Sequence, residues 1–211
     1  CVVDDAGVDS VLRGPDGVLA AMADDSIVVI HSTVHPATCL RLQQEHPRLR
    51  FVDAPVSGGG HKAAARELLV MVGGDAETIE RCRPVLETFA DPLLHVGPLG
   101  SGQAMKVLNN TVFSAHLAIA ADVFELARRR GLDVAAVAAV LANGSGRSYG
   151  ADVVAGGGHD LTGLAALAGG LLAKDVGILV DHTGIEGSVL VDTARHALAL
   201  MGVSDHPPTE V

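Results

Sequence analysis

The first half of the chain alternates short β-branched runs with stretches of helical spacing. Ser26–Ile30 is a near-continuous apolar run, typical of a strand buried on both faces of a parallel sheet. A helix that begins at Ala37 must end before Pro47, and Asp75 is a candidate N-cap for a second helix. In chain order, the pattern predicts strand 26–30, helix 37–45, strand 51–56, strand 68–72, helix 76–89 and strand 94–96. Strands that alternate with helices predict an α/β fold.

The strand signal stops near residue 98, and the remainder of the chain has helical spacing. Residues 101–130 predict one helix about 45 Å long at 1.5 Å per residue, with Ser101 as candidate N-cap and Gly131 as its left-handed stop. Apolar residues cover most of its circumference, so we expect this helix to be surrounded by protein. Further helices are predicted at 134–141, 164–181 and 189–201. We therefore predict an α/β domain over 1–98 and an all-helical domain over 99–211, with the long helix joining them.

Composition narrows the class of protein. Of the 211 residues, 48% are hydrophobic and 19% are charged, which excludes wholesale disorder. The net charge is −10 and only 2% of the residues are aromatic, so we expect no nucleic-acid partner. No apolar run approaches the roughly 18 residues of a membrane span, and we expect no membrane partner.

Cysteines and histidines add little chemistry. Cys1, Cys39 and Cys82 are isolated from one another, so we expect small buried hydrophobic residues in a reducing, cytoplasmic protein. His31 and His35 flank a strand end, and no carboxylate or cysteine lies near them at metal-ligand spacing. We predict no metal site.

Three segments carry residues suited to chemistry, and the first is Asp53–Gly60, which reads DAPVSGGG. A strand that ends in Ser57 and three glycines lets backbone N–H groups approach a carboxylate or phosphate, because no Cβ stands in the way. The alternative is an ordinary turn between a strand and a helix.

The second segment contains Lys106 and Asn110, which share one face of the predicted long helix because they are four residues apart. An ammonium in such apolar surroundings is costly unless it has a partner or a task, and desolvation suits a lysine to proton transfer. The Asn110 amide could orient a substrate oxygen. Alternatively, Lys106 extends its charged end from the first turn into solvent.

The third segment is the charge pair Lys174–Asp175 within an apolar helix. Adjacent residues do not face each other on a helix, so we expect the two side chains to point in different directions. A structural ion pair with other residues is the alternative.

Together, Ser32–Pro36 (STVHP), the DAPVSGG run, the GxGxxxKxxNN run that ends at Asn110, and Lys174–Asp175 resemble the β-hydroxyacid dehydrogenases, a family that includes 3-hydroxyisobutyrate dehydrogenase and tartronate semialdehyde reductase. The resemblance covers essentially the whole chain, with the motifs in order. It implies a Rossmann-type NAD(P)-binding domain, an all-helical substrate and dimerisation domain, and hydride transfer between NAD or NADP and a small β-hydroxy acid or its semialdehyde. A small carboxylic-acid substrate and a homodimer or homotetramer are therefore the expected partners.

The resemblance also assigns roles to residues. Lys106 resembles the catalytic lysine, and Asn110 the asparagine that holds the reacting hydroxyl or carboxylate. Ser57, Gly58 and Gly59 resemble the loop that binds the substrate carboxylate. Thr33 resembles a cofactor contact after a Rossmann strand, and Lys174 resembles the lysine beside the nicotinamide.

The chain departs from the family pattern in two places. The dinucleotide fingerprint GxGxxG is not in the sequence, and Asp9–Leu19 resembles the middle of a Rossmann domain, so we expect a fragment or an incompletely observed enzyme. Residues 61–67 replace a Gly-Ala-rich turn, which bears on substrate choice and not on reaction class.

Three alternatives stay open. A 6-phosphogluconate dehydrogenase would carry His where Asn109 stands, and imine reductases generally lack the lysine at position 106. A non-catalytic helical assembly module is the third.

Overall fold

The computed structural model describes residues 1–14, 16–185 and 187–205. These fall into two compact units, Cys1–Val107 and Leu108–Val211, and the division lies within the long helix.

The first unit is α/β, as predicted. Its helices are α1 (Asp5–Arg13), α2 (Pro36–Glu45), α3 (Gly59–Ala65) and α4 (Ala76–Leu86), with a 3₁₀ turn at Val18–Ala20. Its strands are β1 (Ile27–Ile30), β2 (Arg50–Asp53), β3 (Val56–Ser57), β4 (Leu68–Gly73) and β5 (Ala90–Gly97). The predicted strands and helices are confirmed, with the run 51–56 divided between β2 and β3. Helices α1 and α3 were not predicted.

The five strands form one mixed sheet in the order β1-β2-β4-β3, with β5 also paired to β4. Strands β1 and β2 are parallel, as are β4 and β5, but β4 runs antiparallel to both β2 and β3. The sheet is therefore not purely parallel. The reason is the short connection over residues 58–67, which returns the chain in the opposite direction, whereas a parallel crossover needs a dozen or more residues.

Strand β2 is buried on both faces, as its apolar run predicts, whereas much of β5 is exposed. Phe51 packs on one side in a cluster with Leu42 of α2, and its neighbour Val52 packs on the other side with Ile79 of α4. Successive strand residues point to opposite faces, so this alternation fixes β2 between the two helical layers.

Two of the three cysteines behave as expected. Cys39 and Cys82 are buried among these apolar residues, and burial raises the pKa of both thiols. Cys1 is exposed and lies outside the apolar clusters, so the expectation of a buried residue is wrong there.

The second unit is helical. Helix α5 (Ser101–Arg129) begins in the first unit, and α6 (Val134–Asn143), α7 (Tyr149–Gly156), α8 (Thr162–Leu164), α9 (Gly170–Thr183) and α10 (Val189–Leu200) follow. A π-helical segment, Ala165–Gly169, links α8 to α9. All four predicted helices are confirmed, and Gly131 adopts the left-handed conformation after α5. Helix α7 was not predicted.

Helix α5 is only partly surrounded by this chain. Leu117 and Phe124 lie in the core of the second unit, together with Val176 of α9 and Leu198 of α10. Another side of the helix carries exposed apolar side chains spaced by three, four, seven and seven residues. We call this set the α5 stripe; it comprises Met105, Leu108, Val112, Ile119 and Leu126. The expectation that α5 is enclosed on all sides is therefore wrong for the chain alone.

Two helical stretches in the described part of the chain, Ser101–Arg129 and Thr162–Thr183, are long and apolar enough to cross a membrane by length and composition. Both also supply buried side chains to the core of the second unit, Phe124 and Val176 among them. An apolar composition is equally expected of helices that form such a core.

Candidate active site

A buried carboxylate lies at the start of α5. Asp53, at the end of β2, is fully buried, and its two oxygens accept backbone N–H groups from Gly100 and Gln103, each at 2.7 Å. The first N–H groups of a helix have no partner within the helix, so a carboxylate is favourable there. Ser101, expected as the N-cap, is instead the first helical residue. Burial raises the pKa of Asp53, and the backbone N–H groups oppose the rise.

Glycine is required where α5 meets the sheet. A Cβ on Gly102 would lie 2.4 Å from the carbonyl oxygen of Met71 and 2.8 Å from a carboxylate oxygen of Asp53. Those are non-bonded distances that no side chain tolerates without a shift of the backbone. Gly102 therefore lets the first turn of α5 lie directly against the end of β4.

Lys106 lies one turn beyond Gln103 on α5 and is half-buried. Asn110 follows one turn later, also half-buried. Because α5 is continuous through both positions, the two residues share one side of the helix, as their spacing predicts.

In the second unit, Asn110 is held by the charge pair on α9. Its Nδ2 donates a hydrogen bond to Oδ2 of Asp175 at 2.6 Å, and Nζ of Lys174 lies 2.9 Å from Oδ1 of the same carboxylate. The expectation that Lys174 and Asp175 point in different directions is wrong, because the long lysine side chain folds back onto its neighbour. Asp175 is 3% exposed, so this carboxylate is surrounded by protein and by its two partners.

The orientation of the Asn110 amide follows from this contact. An ionised carboxylate only accepts hydrogen bonds, so it must face the NH₂ group and not the carbonyl of the amide. Asn110 Oδ1 is then directed elsewhere and accepts a bond from Asn109 Nδ2 at 3.2 Å. Asp175 thereby leaves Asn110 with a defined donor side and a defined acceptor side.

The glycine loop follows β3, which continues in the direction of β2. Asp53, Val56 and Ser57 pair with Gly73, Val70 and Leu69 in one antiparallel register. Ser57 is thus four extended residues, about 13 Å, beyond Asp53. Gly58 and Gly59 follow with φ values of 129° and 65°, conformations that favour glycine.

Thr33 lies in the loop after β1 and is half-exposed, while its neighbours Ser32 and Val34 are buried. Both neighbours bond to the side chain of Gln103, whose Oε1 accepts the Val34 N–H at 3.1 Å and whose Nε2 donates to the Ser32 carbonyl at 2.8 Å. Sequence reasoning missed Gln103. A polar amide within an apolar helix start was the available signal.

His31 directly precedes this loop. Its Nδ1 lies 2.7 Å from the carbonyl oxygen of Ala54, so Nδ1 carries the proton and donates it. Burial lowers the pKa of His31, because the charged form loses solvation. Among residues 1–14, 16–185 and 187–205, no group of three His, Cys, Asp or Glu side chains could hold a metal ion.

An aromatic pair lies on the same side of α5 as Asn110. Phe113 is one turn beyond Asn110, and its ring centroid lies 5.6 Å from that of Tyr149 at the start of α7. Sequence reasoning missed both residues, since α7 itself was not predicted. In the second unit, α5 therefore contacts the ion pair of α9 through Asn110 and the Tyr149 ring of α7 through Phe113.

Two family models match the chain in succession. The NAD binding domain of 6-phosphogluconate dehydrogenase matches residues 1–97, and the NAD-binding domain of NADP-dependent 3-hydroxyisobutyrate dehydrogenase matches residues 100–199.

Individual relatives are similar over most of the chain. The 2-(hydroxymethyl)glutarate dehydrogenase of Eubacterium barkeri is 33% identical over 190 residues, which are 86% of this chain and 61% of that protein. Other curated relatives are matched over about half their length.

Solved structures agree in fold. The 3-hydroxyisobutyrate dehydrogenase of Mycobacterium tuberculosis, determined with L-serine, has a TM-score of 0.78 and 29% identity over 95% of this chain and 71% of its own. Psf3 in complex with NADP+ and 2-OPP has a TM-score of 0.80 and 29% identity, over 96% of this chain and 72% of its own.

Proposed function

Because the chain belongs to the β-hydroxyacid dehydrogenase family, we propose that the protein is an NAD(P)-dependent oxidoreductase acting on a small β-hydroxy acid. The observation that carries the proposal is the shared side of α5, where Lys106 is followed by an Asn110 amide fixed by Asp175. A general acid/base and an oriented amide are the two groups that alcohol oxidation requires beside its cofactor.

The residues around β1 fit a nicotinamide cofactor. Ligands of α/β sheets bind outside the carboxyl ends of parallel strands, and Thr33 follows the carboxyl end of β1, which is parallel to β2. Buried bonds from Gln103 hold the loop on both sides of Thr33, which supports a pre-formed contact surface. Thr33 and Lys174 would hold the cofactor, NAD or NADP, which when bound takes up the hydride from the carbinol carbon.

Lys106 moves the proton. In the oxidation direction its Nζ, as the neutral amine or through a water molecule, accepts the proton of the substrate hydroxyl. In the reduction direction the ammonium returns that proton to the forming alkoxide. The position of Lys106 on α5, one turn before Asn110, supports this role, because the amine and the amide then lie on one side of the helix.

The remaining site residues hold the acid. Ser57, Gly58 and Gly59 supply a turn whose backbone can approach a carboxylate closely, since Gly58 and Gly59 adopt positive φ. Asn110 presents its amide to the hydroxyl or carboxylate of the substrate, with the orientation set by Asp175. Fixing both ends of the acid orients the reacting carbon.

A panel of substrates tests the proposal on the full-length protein. The hydroxy acids are 3-hydroxyisobutyrate, L-serine and 2-(hydroxymethyl)glutarate, and the semialdehyde is tartronate semialdehyde; 6-phosphogluconate and a cyclic imine represent the alternatives. Each is assayed with NAD(H) and NADP(H) by the absorbance of the reduced nicotinamide. We expect turnover of at least one β-hydroxy acid or semialdehyde. Turnover confined to 6-phosphogluconate or the imine, or no turnover and no cofactor binding, would overturn it.

We also propose that the protein is a homodimer or homotetramer. The α5 stripe supports this, because Ile119 and Leu126 are more than half exposed and such a continuous apolar surface is unusual for a monomer. A second copy of the chain would bury the stripe along the length of α5.

A further inference from the structure

Gln103 joins three separate segments of the first unit. Its fully buried side chain accepts the Val34 N–H and donates to the Ser32 carbonyl, at 3.1 and 2.8 Å. Its backbone N–H donates to Asp53 at 2.7 Å. The loop after β1, the end of β2 and the first turn of α5 are therefore connected through one residue.

The two side-chain bonds are specific to an amide. A leucine would fill a similar volume but would leave a buried N–H at Val34 and a buried carbonyl at Ser32 without partners. An amide supplies one acceptor and one donor from the same planar group, so it fixes the distance between the loop and the helix as well as their rotation. Close packing at Gly102 holds the same turn of α5 against β4.

Two of the segments that Gln103 connects carry residues of the proposed active site. Thr33, the proposed cofactor contact, lies between the two residues that Gln103 holds. Lys106, the proposed general acid/base, lies one turn beyond Gln103 on the same helix. A change in the Gln103 bonds would therefore alter the placement of the cofactor loop relative to the lysine.

We infer that Gln103 is a positioning residue that sets the cofactor-contacting loop, Ser32–Val34, in register with the turn of α5 that leads to Lys106. This inference rests on the proposed function, and it adds a residue that touches neither cofactor nor substrate. It predicts that the Gln103 amide contributes to cofactor affinity and to turnover, in addition to stability.

Two substitutions at Gln103 test this in the full-length protein. Gln103→Leu removes both bonds. Gln103→Glu keeps them when its carboxyl is protonated, because the acid then has one donor and one acceptor, and breaks the bond to Ser32 when ionised. Burial raises the pKa of a glutamate introduced at this fully buried position, so the switch occurs above the usual range of that group.

A second glutamine provides a matched control. Gln43 bridges the backbone in the same way, donating from Nε2 to the Leu49 carbonyl at 3.0 Å and accepting the Phe51 N–H at 3.2 Å. It contacts neither the loop after β1 nor α5 through these bonds. Gln43→Leu should lower the melting temperature without changing cofactor affinity.

The measurements are the cofactor dissociation constant by fluorescence titration, kcat and the melting temperature, at about pH 5 and about pH 8. His31, His35 and Asp5, which accepts the His35 N–H, also surround the loop, so each variant is compared with the wild type at the same pH. We expect Gln103→Leu to weaken cofactor binding about tenfold at both values. Gln103→Glu should bind the cofactor as tightly as the wild type at the lower pH and more weakly than the wild type at the higher pH.

The outcomes separate the two proposals. If the wild type neither binds nicotinamide cofactor nor turns over a hydroxy acid, the proposed function fails. If the wild type is active but Gln103→Leu changes only the melting temperature, as Gln43→Leu does, the positioning role is wrong. If the melting temperature of Gln103→Glu falls between the lower and the higher pH while its cofactor affinity stays that of the wild type, the positioning role is also wrong. This comparison decides the question should Gln103→Leu not fold.

Discussion

Nδ2 of Asn110 lies 2.6 Å from a carboxylate oxygen of Asp175, although 65 residues separate them in the chain. The other oxygen of the carboxylate pairs with Lys174 at 2.9 Å. A buried carboxylate between a cation and an amide is favourable only while both partners stay in place. The contact therefore makes the orientation of the Asn110 amide depend on the charge of Asp175.

We expect Asp175→Asn to reduce kcat/KM for the hydroxy acid about tenfold to a hundredfold. The substituted amide has both a donor and an acceptor, so it no longer dictates which way Asn110 is turned, and Lys174 loses its counter-charge. Steady-state kinetics and a melting curve measure the effect. Asp192→Asn, an exposed carboxylate on α10, is the control and should leave both unchanged. Wild-type kinetics for Asp175→Asn would show that activity does not depend on the orientation that Asp175 gives to the Asn110 amide.

Substitution of Lys106 tests the proton-transfer role directly. Lys106→Ala should lower kcat by about 10²-fold or more, because no other group is proposed to accept the hydroxyl proton. Cofactor affinity and melting temperature should change little. Arg129→Ala removes an exposed cation from the last turn of the same helix, where it pairs with Glu125, and should keep full activity. Near-normal turnover by Lys106→Ala would remove the lysine from the mechanism.

How far the sequence predicts this fold is clearest at β2 and β3. The apolar run over 51–56 correctly indicates a strand buried on both faces, but the chain changes partner within it, from β1 to β4. An apolar run indicates that both faces of a strand are covered but not which way its neighbour runs, so it could not reveal the reversed direction of β4. The short connection over 58–67 was the available signal.

Two missed helices have a common cause. Helix α3 begins with two glycines and α7 contains Gly150, and glycine disfavours helices in any scale of local propensity. At Gly150 tertiary packing overrides that preference, because a Cβ there would lie 2.7 Å from the Cβ of His116 on α5. Such a requirement is visible only once the two helices are packed together.

The candidate site likewise combines local features, which the sequence indicates, with tertiary contacts, which it does not. The spacing of Lys106 and Asn110 is local, so the sequence correctly places them on one side of a helix. The contact of Asn110 with Asp175, and that of Gln103 with Ser32 across 71 residues, depend on tertiary structure, and no local pattern indicates them.

The stability of the first unit should depend on pH through Asp53. Its pKa is raised by burial, so the folded state holds its proton more tightly than the unfolded state does. The corresponding contribution to stability is fully present below the unfolded pKa, near about pH 4, and is lost as the pH rises through the folded pKa. Asp53→Asn does not titrate, so the wild type should lose stability relative to this variant as the pH rises.

Melting curves of the wild type and Asp53→Asn at a series of pH values measure this difference. All other groups titrate alike in both proteins, so the difference reports Asp53. At each pH the asparagine still lacks one acceptor for the N–H groups of Gly100 and Gln103, which adds a constant cost of about 1–3 kcal/mol. The quantity compared is the stability of the wild type minus that of Asp53→Asn. If this difference stays constant or increases as the pH rises, the raised pKa of Asp53 is contradicted.

The α5 stripe yields a prediction about assembly. If a second copy covers it, charges placed in the stripe become buried and unpaired in the oligomer, which costs several kcal/mol and favours the monomer. We expect the Ile119→Lys, Leu126→Glu double variant to sediment as a monomer at concentrations where the wild type is a dimer or tetramer. Its melting temperature should also lose the dependence on protein concentration that association confers.

A charge at another exposed apolar position separates this effect from a general gain in solubility. Val85 on α4 is 66% exposed, lies in the first unit and is not part of the α5 stripe, so Val85→Lys should leave the oligomer intact. A wild type that is monomeric at all concentrations would show that the stripe is not an interface between copies. An oligomer that survives the double variant would place the interface on another surface. Only dissociation by the double variant, with Val85→Lys unaffected, assigns the contact between subunits to α5.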